Sequence, residues 1–353
     1  MFLYVEQTSS LFRSATDFTK TDNVITSFRN GITKRNFMET NQDLPTIPRR
    51  RLGRTELSIP VVPFGTQGFG NNFGFVSDED AIALIKHSIS LGVNHFDCAR
   101  CYGDSLRKLG LAMKEIPRED VIITARLCCH SAAEWGGYGQ GRPDYSAERT
   151  IADLEDQLQI LNVDYLDGML IHDPIEIDPT LEKGGTLDGL LQCKARGLVN
   201  YVGYGMRQHD FHLKAMATGD VDLILCFNDY NLIRQTAADE VLPAAAEADI
   251  GVMNGWSILR GILTGVDIDA EIERGRWKKE GDVAAAYPIW EWCVEEGISL
   301  LQLALQFCLK EERIQGNNIG SLNVEQLEAN VRAASTPLPD EVWEKYEAQF
   351  GDN

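Results

Sequence analysis

The most restrictive feature of this 353-residue sequence is an alternation of short apolar runs with amphipathic segments of helical period. Each of eight apolar or β-branched runs is followed by such a segment, and one more helical segment follows the last unit. Strands that alternate with helices pair in parallel through helical crossovers. Runs that are apolar throughout indicate strands buried on both faces. The predicted strands are residues 60–66, 94–97, 121–126, 165–172, 201–205, 222–227, 251–256 and 317–320.

The number of these units predicts how the sheet is organised. A chain of this length accommodates either two domains of average size or one barrel of about 250–320 residues. Units of about 30–40 residues each, repeated this often, favour a closed barrel over an open sheet. We therefore predict an α/β fold, a parallel (β/α)₈ TIM barrel with extra C-terminal helices, over residues 49–353.

The first 37 residues differ in composition from the rest of the chain. They contain five basic and three acidic residues, and they are rich in Ser, Thr and Asn without a clear period. A targeting or regulatory arm and a disordered leader both fit this composition, and the missing periodicity favours the leader. We predict a disordered N-terminal extension over residues 1–48, ahead of the first barrel unit.

The charge balance argues against several classes of partner. The chain carries 33 basic and 53 acidic residues, a formal net charge of −20. Such a charge repels phosphate backbones and anionic lipids, so we expect neither nucleic-acid nor membrane binding. Eight cysteines in 353 residues are too few for a disulfide scaffold, which predicts reduced thiols and a cytoplasmic location. The expected partner is a small molecule, and the oligomeric state stays open.

Ionisable residues close three consecutive predicted strands. Asp97, Arg126 and His172 each end an apolar run, and Tyr102 follows the first of them by five residues. One such residue alone would be an ordinary strand cap, but the chemistry of a parallel barrel lies at the carboxyl ends of its strands. A buried carboxylate needs a paired guanidinium, and a cation beside Tyr102 should lower the pKa of its hydroxyl. The pattern indicates a proton donor aimed at a carbonyl whose oxygen a neutral histidine holds.

Four separated segments repeat the motifs of one known family. They are Arg51-Leu52-Gly53-Arg54-Thr55, Phe96-Asp97-Cys98-Ala99 with Tyr102-Gly103, Leu170-Ile171-His172-Asp173-Pro174, and Ile319-Gly320-Ser321 with Gln326 and Asn330. Together they resemble the aldo/keto reductase family over residues 49–350, and the third segment is most similar to its sugar-dehydrogenase branch.

The resemblance implies a catalytic tetrad of Asp97, Tyr102, His172 and, where the family has lysine, Arg126. Arginine keeps the positive charge and can form two hydrogen bonds to Asp97, but it cannot relay a proton. We expect an active enzyme with an altered rate or substrate preference, and a catalytically silent relative is the alternative.

The resemblance also implies a nicotinamide dinucleotide, NAD(P)(H), bound across the mouth of the barrel. It places Trp256 against the nicotinamide, and Ser257 and Leu259 in the loop over the pyrophosphate. The other implied cofactor-binding residues are Gly320, Ser321, Gln326 and Asn330. The family default is NADP, but residues 320–326 contain no cation for a 2′-phosphate, which leans the prediction towards NAD.

Two groups of residues with which the family usually holds the carboxamide of the nicotinamide are missing from this chain. The family's serine–asparagine pair corresponds to Gly205-Met206, and its glutamine corresponds to Phe227. Asn228 and Asn254 are both candidates to replace them, and the sequence does not choose between the two.

Aromatic residues in two predicted loops suggest the wall of a substrate pocket. Phe69 and Phe73 lie in the first loop, and Trp135 and Tyr138 lie in the third. Such walls suit sugars and other ring-shaped carbonyl compounds. We predict an NAD(P)-dependent oxidoreductase that interconverts an aldehyde, ketone or aldose with its alcohol by hydride transfer, with Tyr102 as general acid/base. The alternative is a non-catalytic, dinucleotide-binding barrel that acts as a sensor or accessory subunit.

The cysteines near the predicted tetrad admit other interpretations. Cys98 and Cys101 form a C-x-x-C pair, and Cys128-Cys129-His130 follows the next strand. A metal site and a redox pair are both conceivable from these residue types. Cys98 replaces a buried family threonine and adjacent cysteines chelate poorly, so we expect small hydrophobic side chains here and no metal.

Overall fold

The computed structural model describes residues 45–71, 73–128 and 143–351. The segment 1–44, which holds most of the predicted extension, lies outside these residues, so the boundary at residue 48 stays a prediction. The strands are β1 (Arg49–Arg51), β2 (Ser58–Pro60), β3 (Phe64–Gly65), β4 (His95–Asp97), β5 (Ile122–Leu127), β6 (Leu166–His172), β7 (Val199–Gly205), β8 (Leu223–Phe227), β9 (Gly251–Gly255) and β10 (Gly316–Asn318).

Helices follow the strands along the chain. They are α1 (Asp78–Ser90), α2 (Ser105–Met113), α3 (Ala147–Leu161), α4 (Asp178–Leu181), α5 (Thr186–Ala195), α6 (His209–Met216), α7 (Val241–Glu247), α8 (Ile268–Glu273), α9 (Gly281–Glu296), α10 (Leu300–Lys310), α11 (Val324–Ser335) and α12 (Asp340–Phe350). Among the residues the structure describes, none of these helices is long and apolar enough to cross a bilayer.

The barrel is built from the eight strands β3 to β10, which lie side by side in chain order and pair in parallel. Its two edges meet where Phe64 of β3 bridges Ile319 after β10. The Gly65 amide donates to the Ile319 carbonyl at 3.1 Å, and the Ile319 amide donates to the Pro63 carbonyl at 3.0 Å. The predicted (β/α)₈ barrel is confirmed, because sheet, crossovers and closure are all present.

The remaining two strands form an antiparallel hairpin beneath the barrel, with Arg49 opposite Pro60. Leu52 and Ile59 of this hairpin are fully buried with Leu223 and Met253 of the barrel interior. Gly53 has a φ of +51°, and a Cβ added there would lie 2.1 Å from the amide nitrogen of Gly251. Only glycine allows this turn to seal the amino end of the barrel.

The first predicted strand and helix α9 illustrate differences between the predicted and the observed elements. The predicted first strand, residues 60–66, is divided between the hairpin strand β2 and the short strand β3. Pro63 lies between them, and its missing N–H interrupts strand pairing. Helix α9 was not predicted because Pro288 lies inside it and apolar side chains surround much of its length.

Candidate active site

Three neighbouring strands and one turn bring the predicted tetrad together. Asp97 ends β4 and His172 ends β6, while Arg126 lies one residue before the end of β5 between them. Tyr102 lies in the turn that leads from β4 into α2. Because the strands are parallel and adjacent, their carboxyl ends share one edge of the barrel, and the four side chains meet there as predicted.

The centre of this site is a buried ion pair. Nη2 of Arg126 lies 2.5 Å from Oδ2 of Asp97, and Nε lies 3.4 Å from Oδ1. The two side chains are 6% and 2% exposed, so the pair is shielded from water. Burial opposes the charge on Arg126, but Asp97 and Tyr102 raise the pKa of the guanidinium. The arginine is therefore a permanent cation held in two-point contact, as the sequence indicated.

A second layer of polar side chains supports Asp97. The Thr124 hydroxyl donates to Oδ1 of Asp97 at 3.2 Å, and Nε2 of His95 lies 3.0 Å from the same hydroxyl. His95 is fully buried, and burial together with the charge of Arg49 lowers its pKa to about 3. A neutral His95 thus orients Thr124 without adding charge beneath the ion pair.

Tyr102 and His172 lie above the ion pair. Their rings meet edge to face with centroids 6.0 Å apart, and Cζ of Arg126 lies 5.6 Å from the Tyr102 ring centre. Nη1 of Arg126 lies 3.4 Å from Nε2 of His172. All four side chains are therefore within contact of one another or of the shared guanidinium.

The predicted lowering of the Tyr102 pKa is wrong for this structure. Burial raises the pKa of the Tyr102 hydroxyl well above its usual value, and Asp97 raises it further. Arg126 does lower the pKa, as expected, but its charge is already paired with Asp97 and does not outweigh burial. The tyrosine is accordingly protonated and neutral at physiological pH, the form that a proton donor needs.

Two thiols contact the second ring nitrogen of His172, Nδ1. Sγ of Cys101 lies 3.4 Å from Nδ1 of His172, and Sγ of Cys128 lies 3.5 Å from it. A hydrogen bond with Cys101, together with burial, raises the pKa of the Cys128 thiol. Cys98 is directed away from this group, since its Sγ contacts the Thr124 carbonyl. Cys129 and His130 lie outside the described residues.

The predicted nicotinamide-stacking residue lies directly after β9. Trp256 has a φ of +69° and packs on Phe227 with ring centroids 4.6 Å apart. Ser257 beside it is fully buried, and its hydroxyl has no partner among the residues that the structure describes. Leu259 is 1% exposed and has a φ of +47°, so it anchors the loop in the core.

The segment after β10 is held in a fixed turn. The Asn330 amide donates to the Ser321 hydroxyl at 3.1 Å, and the Leu322 amide donates to Oε1 of Gln326 at 2.8 Å. A Cβ added to Gly320 would lie 2.9 Å from the Gly65 carbonyl oxygen, so this backbone passes close to β3. These predicted cofactor residues are brought together, with Gln326 and Asn330 supporting the turn from α11.

Two arginines at this end of the barrel were not predicted from the sequence. Cζ of Arg260 lies 4.3 Å from the Trp256 ring centre, and Cζ of Arg207 lies 4.5 Å from that of Phe227. Burial lowers the pKa of Arg260, and the positive charge of Arg207 lowers it further. The two guanidinium groups therefore repel each other electrostatically. Both follow barrel strands within five residues, which is the signal that could have found them.

Both candidates for the contact to the nicotinamide carboxamide make hydrogen bonds, but Oδ1 of Asn254 is buried without a partner among the described residues. The Asn254 amide donates to the Tyr230 carbonyl and to Oδ1 of Asn317, each at 2.9 Å. Oδ1 of Asn228 accepts from Nη1 of Arg234 at 2.7 Å. Asn318 at the end of β10 is a further candidate, because its two side-chain polar atoms are likewise buried without partners among the described residues.

The predicted pocket wall needs one correction. Phe69 is 0% exposed and packs on Phe64 with ring centroids 5.4 Å apart, so it belongs to the core and offers no surface to a substrate. Phe73 in the same loop is 45% exposed, and its ring centre lies 6.0 Å from Cζ of Arg260. Trp135 and Tyr138 lie outside the described residues.

Comparison with known proteins decides the family. The sequence model of the Aldo/keto reductase family matches residues 62–349. The chain belongs to the aldo/keto reductase family. This membership indicates an oxidoreductase, and the family generally uses NAD(P)H.

Individual aldo/keto reductases refine the comparison. The chain is 30% identical to L-galactose dehydrogenase of Arabidopsis thaliana over 308 residues, 82% of this chain and 88% of that protein. It is 25% identical to D-threo-aldose 1-dehydrogenase of a Pseudomonas species, with 81% and 93% of the chains covered. An aldo-keto reductase of Bacillus halodurans solved in its holo form superposes with a TM-score of 0.70 at 22% identity, covering 86% and 96%. The predicted similarity to sugar dehydrogenases is thus confirmed.

Proposed function

We propose that this aldo/keto reductase interconverts an aldose or related small carbonyl compound with its alcohol or lactone form, using a nicotinamide dinucleotide. The observation that carries the proposal is the contact of Asp97, Arg126, Tyr102 and His172 at the carboxyl ends of adjacent strands. It combines a half-buried proton donor, a fixed cation and an imidazole within one small volume.

Each member of the group has a role that follows from its surroundings. Tyr102 is half-buried and protonated, so its hydroxyl is placed to give a proton to a carbonyl oxygen or, in reverse, to take one from an alcohol. Arg126 stabilises the phenolate that remains, and Asp97 keeps the guanidinium in place. His172 lies edge-on to Tyr102 and orients the same oxygen.

The residues present fit a dinucleotide that carries phosphates and a carboxamide. Ser257 and Asn318 present buried, unpartnered polar atoms among the described residues, and Trp256, which packs on Phe227, supplies an aromatic ring after β9. Arg207 and Arg260 supply positive charge for the phosphates in a molecule of net charge −20. When bound, the nicotinamide supplies or accepts the hydride.

The preference between NAD and NADP is proposed to lean towards NAD. The exposed residue Glu325 lies in the first turn of α11 and contributes negative charge after the last barrel strand. Arg332 lies in the last turn of the same helix, more than one turn further along. A 2′-phosphate bound near the start of α11 would meet Glu325 before it met Arg332.

A substrate panel tests the proposed function. The full chain is assayed with aldoses, simple aldehydes and their alcohols, each with NAD(H) and NADP(H), by absorbance of the reduced nicotinamide. We expect turnover of at least one aldose, and we expect Tyr102→Phe to lower it by roughly 10²–10⁴-fold while dinucleotide binding persists. Tyr165→Phe, beside Arg118 before β6, is the matched control and should retain activity.

The alternative of a non-catalytic sensor or accessory subunit has a different outcome in the same assay. It predicts dinucleotide binding without turnover of any substrate in the panel. Near-parental turnover by Tyr102→Phe would instead reject the assigned proton donor while keeping the enzyme.

A further inference from the structure

Two thiols and an imidazole form a compact cluster, and the thiols have no part in the proposed reaction. The donor atoms of Cys101, Cys128 and His172 all lie within 4.8 Å of one another. Cys128 and His172 are 2% and 5% exposed, whereas Cys101 is half-buried. The three residues come from consecutive units of the barrel, namely the turn after β4 and the ends of β5 and β6.

The distances from the imidazole nitrogen to the two sulfurs match those between ligands around one metal ion. Zinc binds thiolate sulfur at about 2.3 Å and imidazole nitrogen at about 2.0–2.1 Å in tetrahedral geometry, which separates a sulfur from a nitrogen by about 3.6 Å. The sulfurs of Cys101 and Cys128 lie 3.4 and 3.5 Å from Nδ1 of His172. A bound ion would therefore need little movement of the imidazole relative to either thiol.

We propose that Cys101, Cys128 and His172 form a binding site for a thiophilic divalent cation, best matched by Zn²⁺, with its fourth position open to water or a substrate oxygen. Binding releases one proton from each thiol, and two thiolates balance the two charges of the ion. The loaded site then adds no net charge to the buried tetrad, which is the condition for placing an ion there.

This site differs from the one that the spacing in the sequence suggests. Cys98 of the C-x-x-C pair is fully buried and directed at the Thr124 carbonyl, so it does not face the cluster. His172 replaces it, although it lies 71 residues from Cys101 in the chain. The donor set is created by the register of adjacent strands.

The site has a consequence for turnover, which rests on the proposed function. A metal ion on Nδ1 leaves the remaining proton of the His172 ring on Nε2, where Nη1 of Arg126 now lies at 3.4 Å. Two donors would then face each other, so this contact has to give way. We expect zinc to inhibit turnover reversibly, because the inhibitor occupies the residue that orients the substrate oxygen.

Metal binding is tested without reference to activity. The full chain, kept reduced with a phosphine, is titrated with Co²⁺, whose thiolate charge-transfer and tetrahedral d–d bands report the ligand set, and Zn²⁺ is then added to displace it. We expect one equivalent of each ion. Cys101→Ala and Cys128→Ala should each weaken metal binding by more than the roughly 10–100-fold that is lost when a residue hydrogen-bonded to a ligand is replaced. Cys193→Ala, a buried cysteine of α5, is the matched control and should bind normally.

Four results would overturn the proposal or part of it. Unchanged cobalt bands in Cys101→Ala and Cys128→Ala, or bands without thiolate character in the parent, would remove the site. Should an alanine variant melt early, Cys101→Ser and Cys128→Ser serve instead, and their unchanged cobalt bands would count equally against it. Zinc bound at the site with turnover unaffected would reject the inhibitory consequence alone. An inactive protein that binds zinc would leave the site in place and contradict only the proposed function.

Discussion

At the scale of single residues, Arg126 distinguishes this site from the family pattern. It keeps the charge of the lysine that it replaces, and it binds Asp97 through two nitrogens, at 2.5 and 3.4 Å. Because the pKa of a guanidinium lies above about 12, Arg126 keeps its positive charge throughout the working pH range and does not titrate there. The working proton is therefore confined to Tyr102.

Substitution of Arg126 tests this division of roles. In Arg126→Met the Tyr102 hydroxyl loses the neighbour that lowers its pKa, while burial and Asp97 continue to raise it. We expect turnover to fall by roughly 10²–10⁴-fold and the alkaline limb of the rate profile to move to higher pH. Arg126→Lys should keep substantial activity. The pH dependence of turnover for the three proteins, measured on one substrate, checks this, and an unchanged profile in Arg126→Met would contradict it.

At the scale of elements, the β1–β2 hairpin is defined by one close approach. In Gly53→Ala the new Cβ would lie 2.1 Å from the backbone nitrogen of Gly251, and backbone cannot rotate away as a side chain can. Gly197 also has a positive φ, +74°, but a Cβ there would have nothing within 4 Å. Alanine at either position would have an unfavourable positive φ. Only alanine at position 53 would also clash with the backbone of β9.

We expect these two alanine variants to differ in stability. Gly197→Ala should lower the free energy of unfolding by about 1–2 kcal/mol, the ordinary penalty of a left-handed residue. Gly53→Ala should lower it by at least about 2 kcal/mol more, since the hairpin has to separate from β9. Urea denaturation of both variants provides the comparison. Equal losses would show that the hairpin yields to the new methyl group.

Helix α6 carries a buried histidine that makes the fold sensitive to acid. His212 is fully buried, its Nε2 lies 3.0 Å from the Met206 carbonyl oxygen, and burial lowers its pKa to about 4. The unfolded chain binds a proton near pH 6.5 while the folded chain does not, so stability falls as the pH drops from about 6.5 to about 4.

The size of this effect can be measured in His212→Gln. The amide can keep the hydrogen bond to Met206 but does not titrate, so up to about 3 kcal/mol of the acid-induced loss should disappear. His95, whose pKa is lowered to about 3, keeps its own contribution in both proteins. Free energies of unfolding at several values between pH 7 and pH 4 give the slope, and parallel curves for parent and variant would refute the assignment.

At the scale of the whole molecule, the barrel is complete within the described residues. Its eight strands run from Phe64 to Asn318, and the bridge from Phe64 to Ile319 closes the ring. The hairpin that seals its amino end begins at Arg49. Nothing in the barrel therefore calls for a further strand from residues 1–37.

We expect that removal of residues 1–37 leaves folding and turnover unchanged. Their composition departs from that of the barrel, and the strands, hairpin and tetrad all come from later in the chain. Thermal melting and the substrate assay, applied to the full and shortened chains, provide the test. A marked loss in either measurement would show that the segment packs on the barrel.

The sequence alone determined the eight parallel strands and the meeting of Asp97, Arg126, Tyr102 and His172. Both follow from local information, since the period of apolar residues identifies strands and helices, and parallel strands of a barrel share one carboxyl edge. The match to known motifs then gave the family, because motif order and spacing are also read along the chain.

Tertiary structure decided what depends on burial and on distances between residues remote in sequence. It raised the pKa of Tyr102, since burial outweighed a cation already paired with Asp97. Phe69, which was predicted to line the substrate pocket, is buried in the core. Arg207 and Arg260 lie against aromatic rings at the mouth of the barrel. The tertiary structure also groups Cys101 with Cys128 and His172, and not with Cys98 of the C-x-x-C pair. Strand register sets which side chains face one another, and no local sequence pattern encodes that register.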